Sequence, residues 1–254
     1  MSTTSGTEAA VPPQRPVSAD ECAFLLDAAH ELRTPLTSVL ANLELLSEEL
    51  TGEPADTAHA ALRATQRMRR LVDDLLVLAR ADSRPARARR IIDLGEVLSD
   101  VVSELAPITG THEVAVQADP AIVLGAGDDL HRLVLNLVEN ALRHTPPGTL
   151  VQARTESRGR QALLIVEDEG PGIAPELAAR VFDRFARGSS GGSGLGLAIV
   201  QAVAREHGGS VGLERPSSGH GARFVVRLPV SPDGDDAVGL AAGRLGHPAQ
   251  LADQ

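Results

Sequence analysis

From residue 25 the apolar side chains fall at alternating steps of four and three, through Leu25, Ala29, Leu32, Leu36, Val39, Leu43, Leu46 and Leu50. Such steps keep one face of a helix apolar along its whole length, so this stretch predicts one long helix with a bundle or coiled-coil seam. TGEPAD, residues 51 to 56, breaks the pattern. A second seam then runs through Ala58, Ala61, Thr65, Met68, Val72, Leu75 and Ala79. Two long helices with a short link make an antiparallel hairpin. Alone, that hairpin leaves much of its stripe in water, and pairing two copies into a four-helix bundle covers it, so a homodimer is expected. Residues 20 to 53 carry eight acids and one arginine, whereas 62 to 90 carry nine arginines and three aspartates. Two solvated faces of opposite sign explain this as well as specific pairing does, and exposed pairs stabilise little.

The rest of the chain has a different texture. Residues 1 to 17 are rich in Ser, Thr, Ala and Pro without periodicity and read as a disordered leader, followed by the hairpin over 18 to 82. ADSRPARARR ends the second helix in an arginine-rich hinge, residues 83 to 91. Residues 92 to 230 read as an α/β domain. Asp93 with Glu96 resembles a capping box opening a helix to about Leu105, EVAVQ and AIVLG read as strands, and a strong helix follows Asp128 to about His144. TLVQARTE and QALLIVED form a hairpin around SRGR, a helix covers about Leu195 to His207, and VGLE and RFVVRLP close the domain. Residues 231 to 254 hold no sustained pattern and read as a flexible tail.

Composition excludes some functions. Among 254 residues, 34 acids outweigh 24 bases, all of them arginine, and a net charge of −10 argues against nucleic acid as a partner. No run approaches the ~18 apolar residues needed to cross a bilayer, and the N-terminus lacks a signal-peptide core. One cysteine, Cys22, makes no intramolecular disulfide and fits a reducing compartment; it reads as a buried residue, with a bridge between two subunits as the alternative. A soluble, cytoplasmic chain is expected.

Four motifs carry chemistry. His30, in DAAHELRTPL, sits one position past seam residue Ala29, so its imidazole should flank the bundle core. Pro35 removes the helical partner of the Glu31 carbonyl and should bend the helix there. A neutral imidazole nitrogen can attack phosphorus if the other nitrogen's proton has an acceptor, and Glu31 is adjacent. Thr34, four residues on, shares the histidine's face. In LHRLVLNLVENALRHT, Asn136 and Asn140 face the same way on a helix, and neutral carbonyl oxygens suit a Mg²⁺ already bridged by phosphates. Arg143, one turn on, can meet phosphate oxygens. In VEDEGPGI, Asp168 can accept the exocyclic amine of adenine, and Gly170 and Gly172 let the backbone approach a purine. GGSGLGLAIVQAV puts Gly192, Gly194, Leu195 and Gly196 at the start of a helix, where exposed amides would hold phosphate. Between the glycine boxes, VFDRFARG offers Phe182 and Phe185 as packing residues and Arg184 and Arg187 as candidates for steadying a γ-phosphate. Taken singly, each motif also has an ordinary reading: a structural histidine, a polar helix face, a turn, a flexible loop, solvated arginines.

His30-Glu31-Leu32-Arg33-Thr34-Pro35-Leu36 closely resembles the phosphoacceptor box of sensor histidine kinases, and the other motifs resemble the asparagine box and two glycine boxes in that family's order. The resemblance covers about residues 20 to 230. It implies an ATP-binding fold shared with type II topoisomerases and mismatch-repair ATPases, a mixed sheet covered on one face by helices. It also implies autophosphorylation of His30 from ATP and transfer to an aspartate of a response regulator, with Asn140 binding Mg²⁺, Arg143 contacting nucleotide and Thr34 aiding the regulator's dephosphorylation. The sequence departs from the family in two ways. Only ARGSSGGS separates Phe185 from Gly194, a short lid, and no sensor module precedes the hairpin, so a separate partner or a longer parent chain would supply the signal. Two other readings are a dimeric scaffold that docks regulators without catalysis and a clamp-type ATPase of the same fold; the box around His30 argues against the clamp.

Overall fold

The computed structural model describes residues 19–83, 88–109, 112–186 and 193–231. The expected leader, and the expected tail beyond residue 231, lie outside them. Ser231 itself is buried, and its N–H donates to the Ile122 carbonyl at 3.0 Å.

Helices α1 (Ala19–Glu49) and α2 (Glu53–Ser83) form the hairpin. The link is tighter than the six-residue break suggests, because Glu53, Pro54 and Asp56 already belong to the first turn of α2. A proline there loses no hydrogen bond, and acids meet the positive helix end. α1 runs through Pro35 without ending. Between the helices, Leu40, Ala55, Ala58 and Thr65 are buried, and Arg33 pairs with Asp73 at 2.7 Å. Leu40 lies one residue off the seam read from the sequence. The seam residues Leu32, Val39, Leu46 and Met68 stay 44 to 52% exposed, so the apolar stripe is wider than one neighbouring helix covers.

The second half is a five-stranded mixed sheet with helices on one face. Its elements are β1 (Arg90–Asp93), α3 (Leu94–Thr109), β2 (Glu113–Ala118), β3 (Ile122–Gly125), α4 (Gly127–His144), β4 (Leu150–Arg158), β5 (Gln161–Asp168), α5 (Pro175–Ala178), α6 (Gly196–Glu206), β6 (Ser210–Glu214) and β7 (Ala222–Pro229). The sheet order is β2-β4-β5-β7-β6, with β2 and β4 parallel and the other pairs antiparallel. Leu164 and Val166 of β5 with Phe224 and Val226 of β7 meet Leu133, Leu137 and Ile199 from α4 and α6 in one core.

Sequence patterning missed β1. The expected hinge, residues 83 to 91, overlaps both neighbours: α2 continues to Ser83 and β1 begins at Arg90, with Ile92 opposite Val123 of β3. Four residues are too few to carry a period, and their partner is distant in sequence. Asp93 does cap α3: its Oδ1 accepts the Gly95 N–H at 2.8 Å, and also the Ala121 N–H at 2.9 Å, which ties the helix to the start of β3.

α2 also lies against the second half. Leu78 joins the sheet domain's core, and Arg132 of α4 pairs with the buried Asp74 while donating to the Arg70 carbonyl at 3.2 Å. Burial pushes the Asp74 carboxyl above its usual range, with Arg132 pulling the other way. Arg70 faces Glu139 at 3.7 Å, and Arg89 donates to the Glu206 carbonyl at 2.6 Å. The domain thus rests on α2 as well as on the hinge. Leu137 on α4 is fully buried in the sheet domain's core. Leu137→Ala is expected to cost about 3 kcal/mol, read from urea unfolding followed by circular dichroism.

Candidate functional site

The site is built where β5 ends. Alternation along β5 puts Leu164 and Val166 into the core and Asp168 on the same, helix-covered side, at the strand's last residue. Asp168 is buried, and its Oδ1 accepts the N–H groups of Gly170 at 2.9 Å and Ala222 at 3.2 Å. Both bonds use Oδ1, which leaves Oδ2 for an incoming donor. Burial raises the Asp168 carboxyl above its usual range; the two amides and nearby His144 oppose this, and Glu167 adds to it.

The backbone crowds this carboxylate. A Cβ on Gly170 would stand 2.5 Å from Cγ2 of Thr145, the residue that ends α4 and whose Oγ1 donates to the Ala141 carbonyl at 2.7 Å. Gly221 has φ +90°, and a Cβ there would fall 1.8 Å from the Asp168 carbonyl oxygen, so only glycine fits. Gly172 lies against the Gly221 carbonyl in turn.

α4 supplies the asparagines. Asn136 Nδ2 donates to the Arg132 carbonyl at 2.8 Å, and a Cβ on Gly196 would stand 2.8 Å from Asn136 Oδ1. Asn136 therefore abuts the first residue of α6. Asn140 bonds no described residue through its side-chain amide, so its carbonyl oxygen is available to a cation. Arg143 is exposed, 3.7 Å from Glu139. His144 follows, its pKa lowered by burial and by Arg143, with Asp168 opposing.

At α6 the N-cap position is Leu195, and no side chain caps the helix, so its first amides point outward at the positive end. The Leu195 side chain is buried and its N–H donates to Ser193 Oγ at 3.2 Å, so Leu195 as expected from the sequence would meet a ligand only by exchanging that backbone bond. The Phe185 N–H donates to the Gly194 carbonyl at 2.8 Å, drawing the two ends of the short glycine segment together. Phe182 packs edge-on against Phe224 with ring centroids 6.2 Å apart, as expected of an anchor. Phe185 does not: its φ is +63°, its ring is 60% exposed, and its backbone rather than its ring holds the base of the segment. Arg184 is half-buried. Arg187 and Gly192 lie outside the described residues.

The asparagine helix, the first glycine box and the start of the second thus meet at one end of the sheet. His30 stands apart on α1, placed by its helical backbone; Glu31 and Thr34 beside it are exposed. One turn on, Arg33 reaches Asp73, and the next residue of α2, Asp74, reaches α4. Sequence reading missed Thr145, Gly221 and Ala222. HTPPG directly after the asparagine helix and GHGA before the last strand are signals that could have found them.

These residues suit a nucleotide. Oδ2 of a buried carboxylate offers an acceptor to an amine, glycines clear the approach, an uncapped helix start meets anions, and Asn140 offers a hard oxygen to a divalent cation. By fold and site the second half is an ATP-binding domain carried on a helical hairpin. The family model of the histidine kinase-, DNA gyrase B- and HSP90-like ATPases matches residues 125–232, and that of the His Kinase A phospho-acceptor domain matches 21–84. The chain belongs to the sensor histidine kinases of two-component systems. It is 41% identical over 218 residues to the probable sensor histidine kinase TcrY of Mycobacterium tuberculosis, a match covering 82% of this chain and 45% of that protein. Among solved structures, the mycobacterial sensor histidine kinase MprB is 35% identical with a TM-score of 0.52, covering 56% of this chain and 97% of that one. Full-length ShkA, crystallised with AMPPNP, is 30% identical with a TM-score of 0.66 over 84% of this chain and 46% of that one. The chain spans about half the length of the curated relatives it matches.

The raised Asp168 carboxyl makes a prediction about stability. A carboxyl whose folded pKa exceeds its unfolded one costs stability as pH rises from the unfolded value through the folded value. Asp168→Asn removes that cost and keeps an oxygen acceptor. The variant is expected to melt higher than the parent at neutral pH, with the difference vanishing in acid, as followed by thermal melts across pH.

Proposed function

We propose that this chain is the kinase core of a sensor that phosphorylates its own His30 from ATP and hands the phosphoryl group to an aspartate of a response regulator. One observation carries the reading: three boxes converge at the end of β5, and the α2 segment that touches their helix α4 also faces the phosphoacceptor box. Asp168 accepts the adenine amine, with Gly170 and Gly172 beneath the ring. The amides at Gly192, Gly194 and Gly196 hold phosphate oxygens, with that of Leu195 joining by leaving Ser193 Oγ; Arg143 meets them from α4, and Asn136 keeps α6 in place. A Mg²⁺ ion on Asn140 would neutralise charge on the phosphates. His30 attacks the γ-phosphorus in line: a nitrogen–phosphorus bond forms, the bond to the β-phosphate oxygen breaks, and ADP leaves. Glu31 takes the imidazole proton, while Arg184 and Arg187 steady the moving group. Phosphohistidine then donates to the regulator docked on the bundle, and Thr34 helps orient water for the reverse, phosphatase reaction.

The exposed edge of Leu32, Val39, Leu46 and Met68 supports pairing of two chains into a four-helix bundle. Among the described residues no helix is long and apolar enough to cross a membrane. A cytoplasmic setting and a separate sensory input remain part of the proposal, and nothing in the fold or the relatives favours the scaffold or clamp readings.

Labelled ATP tests the first step. The purified chain should take up label that is lost in acid, that His30→Gln abolishes, and that Asn140→Ala lowers on the order of a hundredfold. Acid-stable label, or equal labelling of His30→Gln, would overturn the reading.

A further inference from the structure

We infer that Glu167 is a positioning residue for the adenine site, acting from the far face of the sheet by buckling the β6–β7 connection onto β5. The inference rests on the reading of Asp168 as the residue that binds the base.

Glu167 and Asp168 are consecutive on β5, so their side chains leave the sheet on opposite faces. Asp168 faces the helices and the site. Glu167 faces the other way, beside Ile165 and Leu163, yet it is only 7% exposed. A carboxylate so far from water needs donors. It has three: the Ser217 N–H, the Ser217 hydroxyl at 3.1 Å and Arg223 Nη1 at 2.6 Å. Arg223 stands directly opposite Glu167 in the β5–β7 register and donates a further bond to Ser217 Oγ at 2.7 Å. Glu214, opposite Arg223 on β6, completes the row at 3.8 Å.

Residues 215 to 221 therefore form a strap with two fixed ends. Behind the sheet it is held at Ser217 by Glu167 and Arg223. In front it emerges at Gly221 and Ala222, where the Gly221 backbone lies against the Asp168 carbonyl and Gly172, and the Ala222 N–H holds Asp168 Oδ1. Ser217 and Gly221 are only four positions apart, a reach of at most about 14 Å, so a shift at one end is felt at the other. Burial alone would raise the Glu167 carboxyl, but the bonds from Ser217 and Arg223 win and hold it below its usual range. Its contribution to stability is thus complete above the ordinary glutamate pKa and is lost only as pH falls through the lower folded value. The buckle stays closed at every pH where the kinase would work. The network lies on the face of β5 opposite the Asp168 side chain, and it reaches the site through Asp168 and the glycines Gly172 and Gly221.

The test compares the parent chain with Glu167→Gln, Ser217→Ala and Asp168→Asn. Three readouts are taken: ATP and GTP affinity by calorimetry, amide hydrogen exchange at Gly170 and Ala222 without nucleotide, and labelling rate at saturating ATP. Glu167→Gln should weaken ATP binding about tenfold, narrow the preference for ATP over GTP, and speed exchange at both amides. Its labelling rate at saturation should stay within about twofold of the parent, because the reacting groups are untouched. Ser217→Ala, which keeps the backbone donor, should show the same pattern at about a third of the size. A folded Glu167→Gln with parental affinity and parental exchange overturns the inference, as does a loss confined to the rate at saturation. Should Glu167→Gln fail to fold, parental affinity and exchange in Ser217→Ala overturn it equally. If Asp168→Asn binds ATP as well as the parent does, the adenine reading fails, while the exchange measurements still decide whether Glu167 holds the strap.

Discussion

The structure turns on one buried carboxylate. Asp168 sits at the end of a strand whose preceding inward residues are Leu164 and Val166, so the same alternation that builds the core delivers an acid to the core's edge. Two backbone N–H groups from different segments, Gly170 and Ala222, make that burial tolerable, and each requires its segment to come close. Gly170 can do so because it lacks a side chain that would strike Thr145, and Ala222 because Gly221 before it takes a backbone no other residue accepts. The site is less a cavity added to a fold than the place where three chain crossings satisfy one charge.

How legible this was depends on how local each feature is. The long helices, β4, β5, α4 and α6 were readable because each bears many repeats of its own period and ends at its own turn or cap. β1 was not, since four residues show no period and are fixed by pairing with β3. The hairpin seam was readable as a stripe but not as a division of labour: Leu40, off the seam, is what the partner helix buries, whereas Leu32 and Val39 on it stay exposed. The boxes were readable as motifs because each is a short contiguous string, and the fold brings three of them to one end of the sheet. Of the residues that support them, Thr145 and Gly221 left only the faint signals HTPPG and GHGA, and the Glu167–Arg223–Ser217 group left none, because its meaning lies in contacts across the sheet. Phe185 misled for a related reason, for an aromatic in a short segment suggests packing until its reversed backbone is known.

The absence of lysine gives the chemistry a particular character. Every side-chain cation able to meet phosphate in this chain is a guanidinium or an imidazole. Guanidinium is planar, weakly hydrated and always charged, so it binds carboxylate and phosphate in the same forked geometry. That dual use is visible on α4, where Arg132 holds Asp74 and Arg143 shares Glu139 with Arg70. At the site, Arg143 is thus held by a carboxylate that a phosphate could replace.

Those same pairs join the two halves of the molecule. Successive residues of a helix point about 100° apart, so Asp73 and Asp74 must face different neighbours. Asp73 faces α1 through Arg33, three residues past His30, and Asp74 faces α4 through Arg132, four residues before Asn136. With Leu78 buried in the sheet domain's core, α2 acts as a shared wall between the helix that carries His30 and the helix that carries Asn136 and Asn140. A bend or rotation of α2 cannot move one of these contacts and leave the other unchanged, because both acids ride on adjacent residues of one rigid rod. The domain's position is thus set in part by the register of α2 against α4, written in an aspartate pair that belongs to none of the four boxes.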